Sequence, residues 1–188
     1  FNNRKVMRTG SLHIDLNRKA SVYISGDQVA STSFSGSYSR AQLLPGLYNI
    51  RVNETGYHEW HKTVRVIAGE FTDFPDVVIL PLQQDYENLT SASFAQESNS
   101  ISPDQKKSVY FMADKNVWIN WLSDSNTQPY KSAGAREQIA SFPTPIERFF
   151  WHEDSQHLYI KSGGMIYFME IDTRGGTNIY ALTYGLAL

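Results

Sequence analysis

Apolar and polar residues alternate along most of the first 80 positions. Leu12, Ile14 and Leu16 share one parity, with His13 and Asp15 between them. Val22 and Ile24 flank Tyr23; Tyr48, Ile50 and Val52 alternate with Asn49, Arg51 and Asn53; Val64 and Val66 alternate with Thr63 and Arg65. A period of two places alternate side chains on opposite faces of a strand. Val77, Val78, Ile79 and Leu80 form a continuous apolar run, read as a buried strand. Turn residues separate these runs at Ser25-Gly26-Asp27, Pro45-Gly46, Thr55-Gly56 and Ala68-Gly69-Glu70. Serine-rich residues 31–39 read as a flexible loop with Phe34 and Tyr38 as anchors. No segment carries a sustained i, i+3, i+4, i+7 apolar face, so short strands at this spacing predict a small antiparallel β-sandwich over residues 1–82. The frame expected to hold it is Pro45, Gly46, Gly56, Tyr57 and Trp60. The two glycines supply positive φ at turns, and the two aromatics seal the end of the sandwich.

Residues 83–100 turn polar and read as a linker. Beyond them, residues 101–188 contain two similar stretches. Asp104 is followed by the strand Val109-Tyr110-Phe111, a turn at Asp114-Lys115-Asn116 and the strand Val117-Trp118-Ile119. Asp154 is followed by Leu158-Tyr159-Ile160, a turn at Ser162-Gly163-Gly164 and the run from Met165 to Phe168. The first copy's hairpin turn is one residue longer. A repeat of roughly 50 residues is what a propeller blade requires. The expectation is an all-β protein, a sandwich followed by about two propeller-blade-like hairpin repeats, too few to close a ring of about four or more blades.

Composition narrows the function. The chain has 188 residues, a formal net charge of -2 and no cysteine. Its basic residues occur as scattered pairs rather than the stripe that nucleic-acid binding needs, which excludes that class. Disulfides, thiolate metal sites and cysteine nucleophiles are excluded together. The first residue is Phe1 rather than Met, so the sequence reads as a processed or excised segment, with a membrane anchor expected upstream of it.

Two blocks resemble known families. Thr9-Gly10-Ser11-Leu12, the run from Ala20 to Asp27, Leu44-Pro45-Gly46-Leu47-Tyr48, Gly56-Tyr57 with Trp60, and Val64-Arg65-Val66 with Ala68-Gly69-Glu70 occur in the order seen in PEGA domains. That block therefore resembles the PEGA family, prealbumin-like β-sandwiches of bacterial envelope and surface proteins, although the literal P-E-G-A string is absent. Ile101-Ser102-Pro103-Asp104 with Ser108-Val109-Tyr110, and Asn116-Val117-Trp118-Ile119, resemble the Ser-Pro-Asp-Gly blades of bacterial β-propellers, with Gln105 in place of the usual glycine. The resemblance implies an extracytoplasmic location in a cell envelope or at a cell surface.

Candidate chemistry is sparse. His58 and His61 are spaced i, i+3 in a strand-like context, which turns them to opposite faces, unlike the i, i+4 helical pair of a zincin. His152, Glu153, Asp154 and His157 cluster in an expected turn, where Asp and His are common, and a metal would need them to converge. There is no G-x-S-x-G elbow and no phosphate-binding glycine loop. The expectation is no catalytic site, no metal and no cofactor. Trp118, Trp121, Phe149, Phe150 and Trp151 are the candidate interaction surface, weighed against burial between blades or subunits. The reading is a non-enzymatic structural or protein-interaction module of a bacterial envelope or surface assembly, with a protein partner or self-assembly expected. The alternatives are a carbohydrate- or peptide-binding module, with glycan as ligand, and a non-catalytic fragment of a larger envelope hydrolase.

Overall fold

The computed structural model describes residues 8–25, 27–31, 36–83, 100–112 and 114–184. Of the expected linker at 83–100, residues 84–99 lie outside them, as do Gly26 and Phe34. Among the described residues the chain is all-β, with four small sheets, none closed into a barrel. It divides into two compact units, Phe1–Pro81 and Leu82–Leu188.

The first unit is a sandwich of seven strands: β1 (Gly10–Leu16), β2 (Ser21–Ile24), β3 (Asp27–Ser31), β4 (Ser37–Leu43), β5 (Gly46–Asn53), β6 (Trp60–Val66) and β7 (Phe71–Val77). One sheet runs β4-β1-β7 and the other β3-β2-β5-β6. All pairs are antiparallel except β1 with β7, which is parallel. The alternation in sequence is the reason for the layers. Leu12, Ile14 and Leu16 of β1 turn inward against Val22 and Ile24 of β2, Ile50 and Val52 of β5, and Trp60, Val64 and Val66 of β6. Removing each such aliphatic side chain from water contributes roughly 1.5–3 kcal/mol. Trp60 meets Phe74 of β7 edge-to-face, with centroids 5.3 Å apart. Lys62 takes an inward place on β6 beside Trp60 and is buried.

Several local expectations change. The apolar run at 77–80 is not the strand. β7 covers Phe71–Val77, and Ile79 is buried beyond its end. There the Asn17 carboxamide replaces a strand partner, receiving Ile79 N–H at 3.1 Å and donating to Ile79 O at 3.3 Å. Residues 37–39 are strand rather than loop, and Tyr38 is in the core. Gly46 does not use positive φ. The chain passes from β4 in one sheet to β5 in the other through Leu44-Pro45, and the left-handed residue is Gln42, at φ 61°. Gly56 does adopt positive φ, 83°, in the turn closed by Tyr57 N–H to Glu54 O. Tyr57 packs against the sandwich core under the Arg18 guanidinium, whose Nη1 reaches the phenol oxygen. Trp60, the first residue of β6, is buried in the core.

The second unit holds β8 (Lys107–Met112), β9 (Asn116–Trp121), β10 (Arg136–Ser141), β11 (Ile146–Trp151), β12 (His157–Ser162), β13 (Met165–Glu170) and β14 (Ile179–Tyr184). They form two antiparallel meanders, β10-β9-β8 and β11-β12-β13-β14. Their facing sides share one core, Val109, Val117, Ile119 and Ile139 from the first sheet against Leu158, Ile160 and Met169 from the second.

The internal repeat is real at the level of atoms. Gln105 and Ser155 both have φ of 60°. Ser102 N–H donates to Lys107 O at 2.9 Å and His152 N–H to His157 O at 2.8 Å; Gln105 N–H donates to Ser102 O at 2.8 Å and Ser155 N–H to His152 O at 3.0 Å. Asp104 Oδ1 accepts Lys106 N–H at 3.0 Å, as Asp154 Oδ1 accepts Gln156 N–H at 2.8 Å. The left-handed backbone at Gln105 is the physical reason why glycine suits that place in the motif. The two turns touch, because Asp104 N–H donates to Ser155 Oγ at 3.0 Å.

Candidate functional site

The equivalence of the two hairpins lets their faces be compared position by position. The side of β8 and β9 turned away from the shared core carries Ser108, Tyr110, Trp118 and Asn120. The corresponding positions of β12 and β13 are Leu158, Ile160, Tyr167 and Met169, which pack into the shared core. The same face is therefore apolar where a sheet covers it and mixed polar and aromatic where the first sheet ends. Tyr110 lies directly across from Trp118, with rings stacked at a centroid distance of 6.1 Å and 24° between planes. Gln138 of β10 pairs with Trp118 on its other side and is exposed. Trp118 Nε1 is buried and has no acceptor among the described residues.

The five aromatics of the candidate surface do not come together. Trp121 is in the shared core, with Lys131 Nζ 5.2 Å above its ring. Phe149 and Trp151 pack against that core from β11, Phe149 meeting Phe111 at 4.9 Å and Trp151 Nε1 donating to Ser100 O at 3.2 Å. Phe150 pairs with Tyr159 on the opposite face of the second sheet. Trp118 alone of the five lies on the polar-aromatic face. These residues are neighbours along the chain, but strand parity divides them in space.

One end of the unit is made of the two aspartate turns and the two longer connections, residues 122–135 and 171–178. Arg174 holds Asp172 through Nε and Nη2 and donates Nη1 to Gln128 Oε1 at 2.5 Å. Glu137 accepts Lys131 Nζ at 2.6 Å and Thr173 Oγ1 at 2.5 Å. The connections are thus bound to one another by charged and neutral hydrogen bonds.

In the first turn, Asp104 Oδ2 accepts Lys107 Nζ at 2.8 Å and Oδ1 accepts Ser102 Oγ at 2.5 Å. Burial acts to raise the carboxyl pKa, but the bonds from Lys107, Ser102 and Lys106 N–H outweigh it and the pKa falls below the ordinary value. In the second turn two imidazoles stand where serine and lysine stand in the first. Asp154 Oδ2 lies 2.7 Å from His157 Nδ1 and 3.0 Å from His152 Nδ1. Its pKa is likewise lowered: burial opposes the charge, and His157, Gln156 N–H and His152 favour it more strongly.

His58 and His61 form no such group. His61 faces solvent on β6, and burial lowers the pKa of His58. Glu59 is engaged by Arg51 and Asn53 of β5, each at 3.2 Å. Among the described residues, His152, Asp154 and His157 are the one group of three or more metal-ligating side chains in reach of one another. No helix of the described residues is long and apolar enough to cross a membrane.

No protein-family model matches the chain, and no curated protein matches it. Among solved structures it is similar to one described as the Bacillus anthracis TIE protein, at 12% identity and a TM-score of 0.35 over 95% of this chain. The chain spans 32% of the length of that protein.

Proposed function

We propose that this chain is a non-enzymatic interaction module of a bacterial cell envelope or surface assembly, and that the Tyr110–Trp118 face is where it meets a protein partner or another copy of itself. The observation carrying this reading is the comparison of the two hairpin faces. Where the second sheet presents Leu158, Ile160, Tyr167 and Met169 to a covered core, the first presents Ser108, Tyr110, Trp118 and Asn120 at its outer side. Aromatic centres surrounded by hydrogen-bonding side chains are what recognition surfaces use, with tyrosine and tryptophan as anchors. The envelope location rests on the PEGA-like and propeller-like sequence patterns.

A second reading, glycan binding, is favoured by one feature of the same face. Stacked aromatics flanked by the amides of Asn116, Asn120 and Gln138 suit the apolar faces and hydroxyls of a sugar. Light scattering over a dilution series, with wild type and Trp118→Ala, tests the first reading. A mass above 21.4 kDa that returns to the monomer in the variant supports self-association through this face. Quenching or shift of tryptophan emission by peptidoglycan fragments, lost in the variant, would support the glycan reading instead. A monomer that binds neither leaves the face without the role assigned to it.

A further inference from the structure

The second aspartate turn differs from the first at two positions that matter. Ser102 is replaced by His152, and Lys107 by His157. In the first turn the carboxylate is neutralised by a built-in cation, the Lys107 ammonium. In the second the permanent cation is gone, and two imidazole nitrogens face the same carboxylate oxygen. We propose that His152 Nδ1, His157 Nδ1 and Asp154 Oδ2 form a binding site for a divalent first-row transition ion, which takes the place of the lysine charge of the sister turn.

The geometry is close to what such an ion needs. Separations of 2.7 and 3.0 Å from Asp154 Oδ2 to the two nitrogens correspond to angles of roughly 80–90° for metal–ligand bonds of about 2.1 Å. The three ligand atoms lie within 4.8 Å of one another, and two bonds of about 2.1 Å nearly cover that span. Movement of at least about 0.6 Å at His152, the more exposed ring, brings the 4.8 Å span within reach of two such bonds. Two imidazoles and a carboxylate suit zinc, nickel or copper rather than magnesium or calcium, which prefer all-oxygen sites.

The ligands are held in advance. Asp154 Oδ1 is occupied by Gln156 N–H and His157 N–H, which leaves Oδ2 for the ion. Phe168, fully buried, orients both rings: His157 stacks on it with centroids 4.8 Å apart, and His152 meets it edge-on at 5.6 Å. His157 is buried whereas His152 and Asp154 are partly exposed, so remaining coordination positions open to water. Without an ion, His157 Nδ1–H donates to Oδ2 at 2.7 Å, and His152 Nδ1 accepts Asp154 N–H at 3.4 Å. With one, each Nδ1 offers its lone pair to the metal and each neutral ring carries its single proton at Nε2, so the hydrogen between His157 and Oδ2 moves to the far nitrogen of that ring.

The test is calorimetric titration of tag-free, chelator-stripped protein with NiCl2 and with ZnCl2. His152→Ser/His157→Lys, which rebuilds the turn of the first copy, is the matched variant. That turn already folds in this protein, so the variant keeps its fold, checked by circular dichroism and by the melting midpoint. The expected result is saturable binding of about one ion per chain for wild type and a loss of affinity of at least about tenfold in the variant. Wild type that binds neither ion saturably overturns the proposal. So does a folded variant that binds as tightly as wild type, which would place the ion at His13, His58 or His61 instead.

Discussion

Gln105 and Ser155 occupy equivalent left-handed positions, yet replacing each with glycine is expected to change stability in opposite directions. A side chain in this region costs about 1–2 kcal/mol, and both residues sit at φ 60°. Gln105 is exposed, so Gln105→Gly removes the strain and forfeits no burial. The added freedom of the unfolded chain takes back roughly 0.5–1 kcal/mol. The net gain is about 0.5–1 kcal/mol, or a rise of roughly 2–8 °C in the midpoint of a unit of this size. Ser155→Gly relieves the same strain but deletes the Oγ that accepts Asp104 N–H at 3.0 Å. Ser155 is only 2% exposed and the bond is partly buried, so that donor is left incompletely hydrated. Losing it costs about 1–3 kcal/mol, and the net is destabilisation of about 1 kcal/mol. Urea unfolding followed by tryptophan emission reads the correct unit, since Trp118, Trp121 and Trp151 lie in the second and only Trp60 in the first. Midpoints that move the same way in both variants, or a lower midpoint for Gln105→Gly, would refute the equivalence of the two turns.

Single contacts set the other expected outcomes. Gly10→Ala is expected to lose about 1–3 kcal/mol by overpacking, because its Cβ would lie 2.5 Å from Ile67 O and 2.6 Å from Val66 Cγ1. Gly46→Ala meets nothing nearer than Tyr48 Cε2 at 3.7 Å, and its thermal midpoint should equal or slightly exceed that of wild type. Ile119→Ala removes a side chain with no exposed surface from between the two sheets and should cost about 2–5 kcal/mol in urea unfolding. Asp104 has a folded pKa below its ordinary value of 3.8, so its contribution is complete above that pH and disappears as pH falls through the folded value. Acid titrations of wild type and Asp104→Asn should therefore differ in stability near neutrality and converge below pH 3.8; a gap that stays constant into acid would refute the linkage.

Much of the architecture could be read from parity alone. The alternation of Leu12, Ile14 and Leu16, of Ile50 and Val52, and of Val64 and Val66 set the layers because a half-buried strand has no other way to separate core from solvent. Parity also had the means to place Trp60 and Lys62 on the inward side of β6, the one a core aromatic and the other a buried cation. The repeat of Asp104 at Asp154 was visible because a tight turn demands specific atoms at fixed offsets. Less legible were features set by distant partners. The run at 77–80 has strand composition, but the register with β1 ends at Val77, and Asn17 caps the backbone at Ile79. Gly46 sits in a turn-like dipeptide, but the left-handed residue is Gln42, inside β4.

The candidate site divides along the same line. Local sequence determined that the second unit holds many aromatics and that His152, Asp154 and His157 share one turn. Only the tertiary structure decided which aromatics are interior, since Trp121 is buried between the two sheets while Phe149 and Trp151 of β11 are partly buried against the same core. It also decided that the two imidazoles converge on one oxygen, because the left-handed step at Ser155 folds His157 back over Asp154 while Phe168, from the next strand, fixes both rings. Hydrophobic period is a property of neighbours along the chain. Convergence of side chains depends on which face of which strand is covered, and that is settled by partners many residues away.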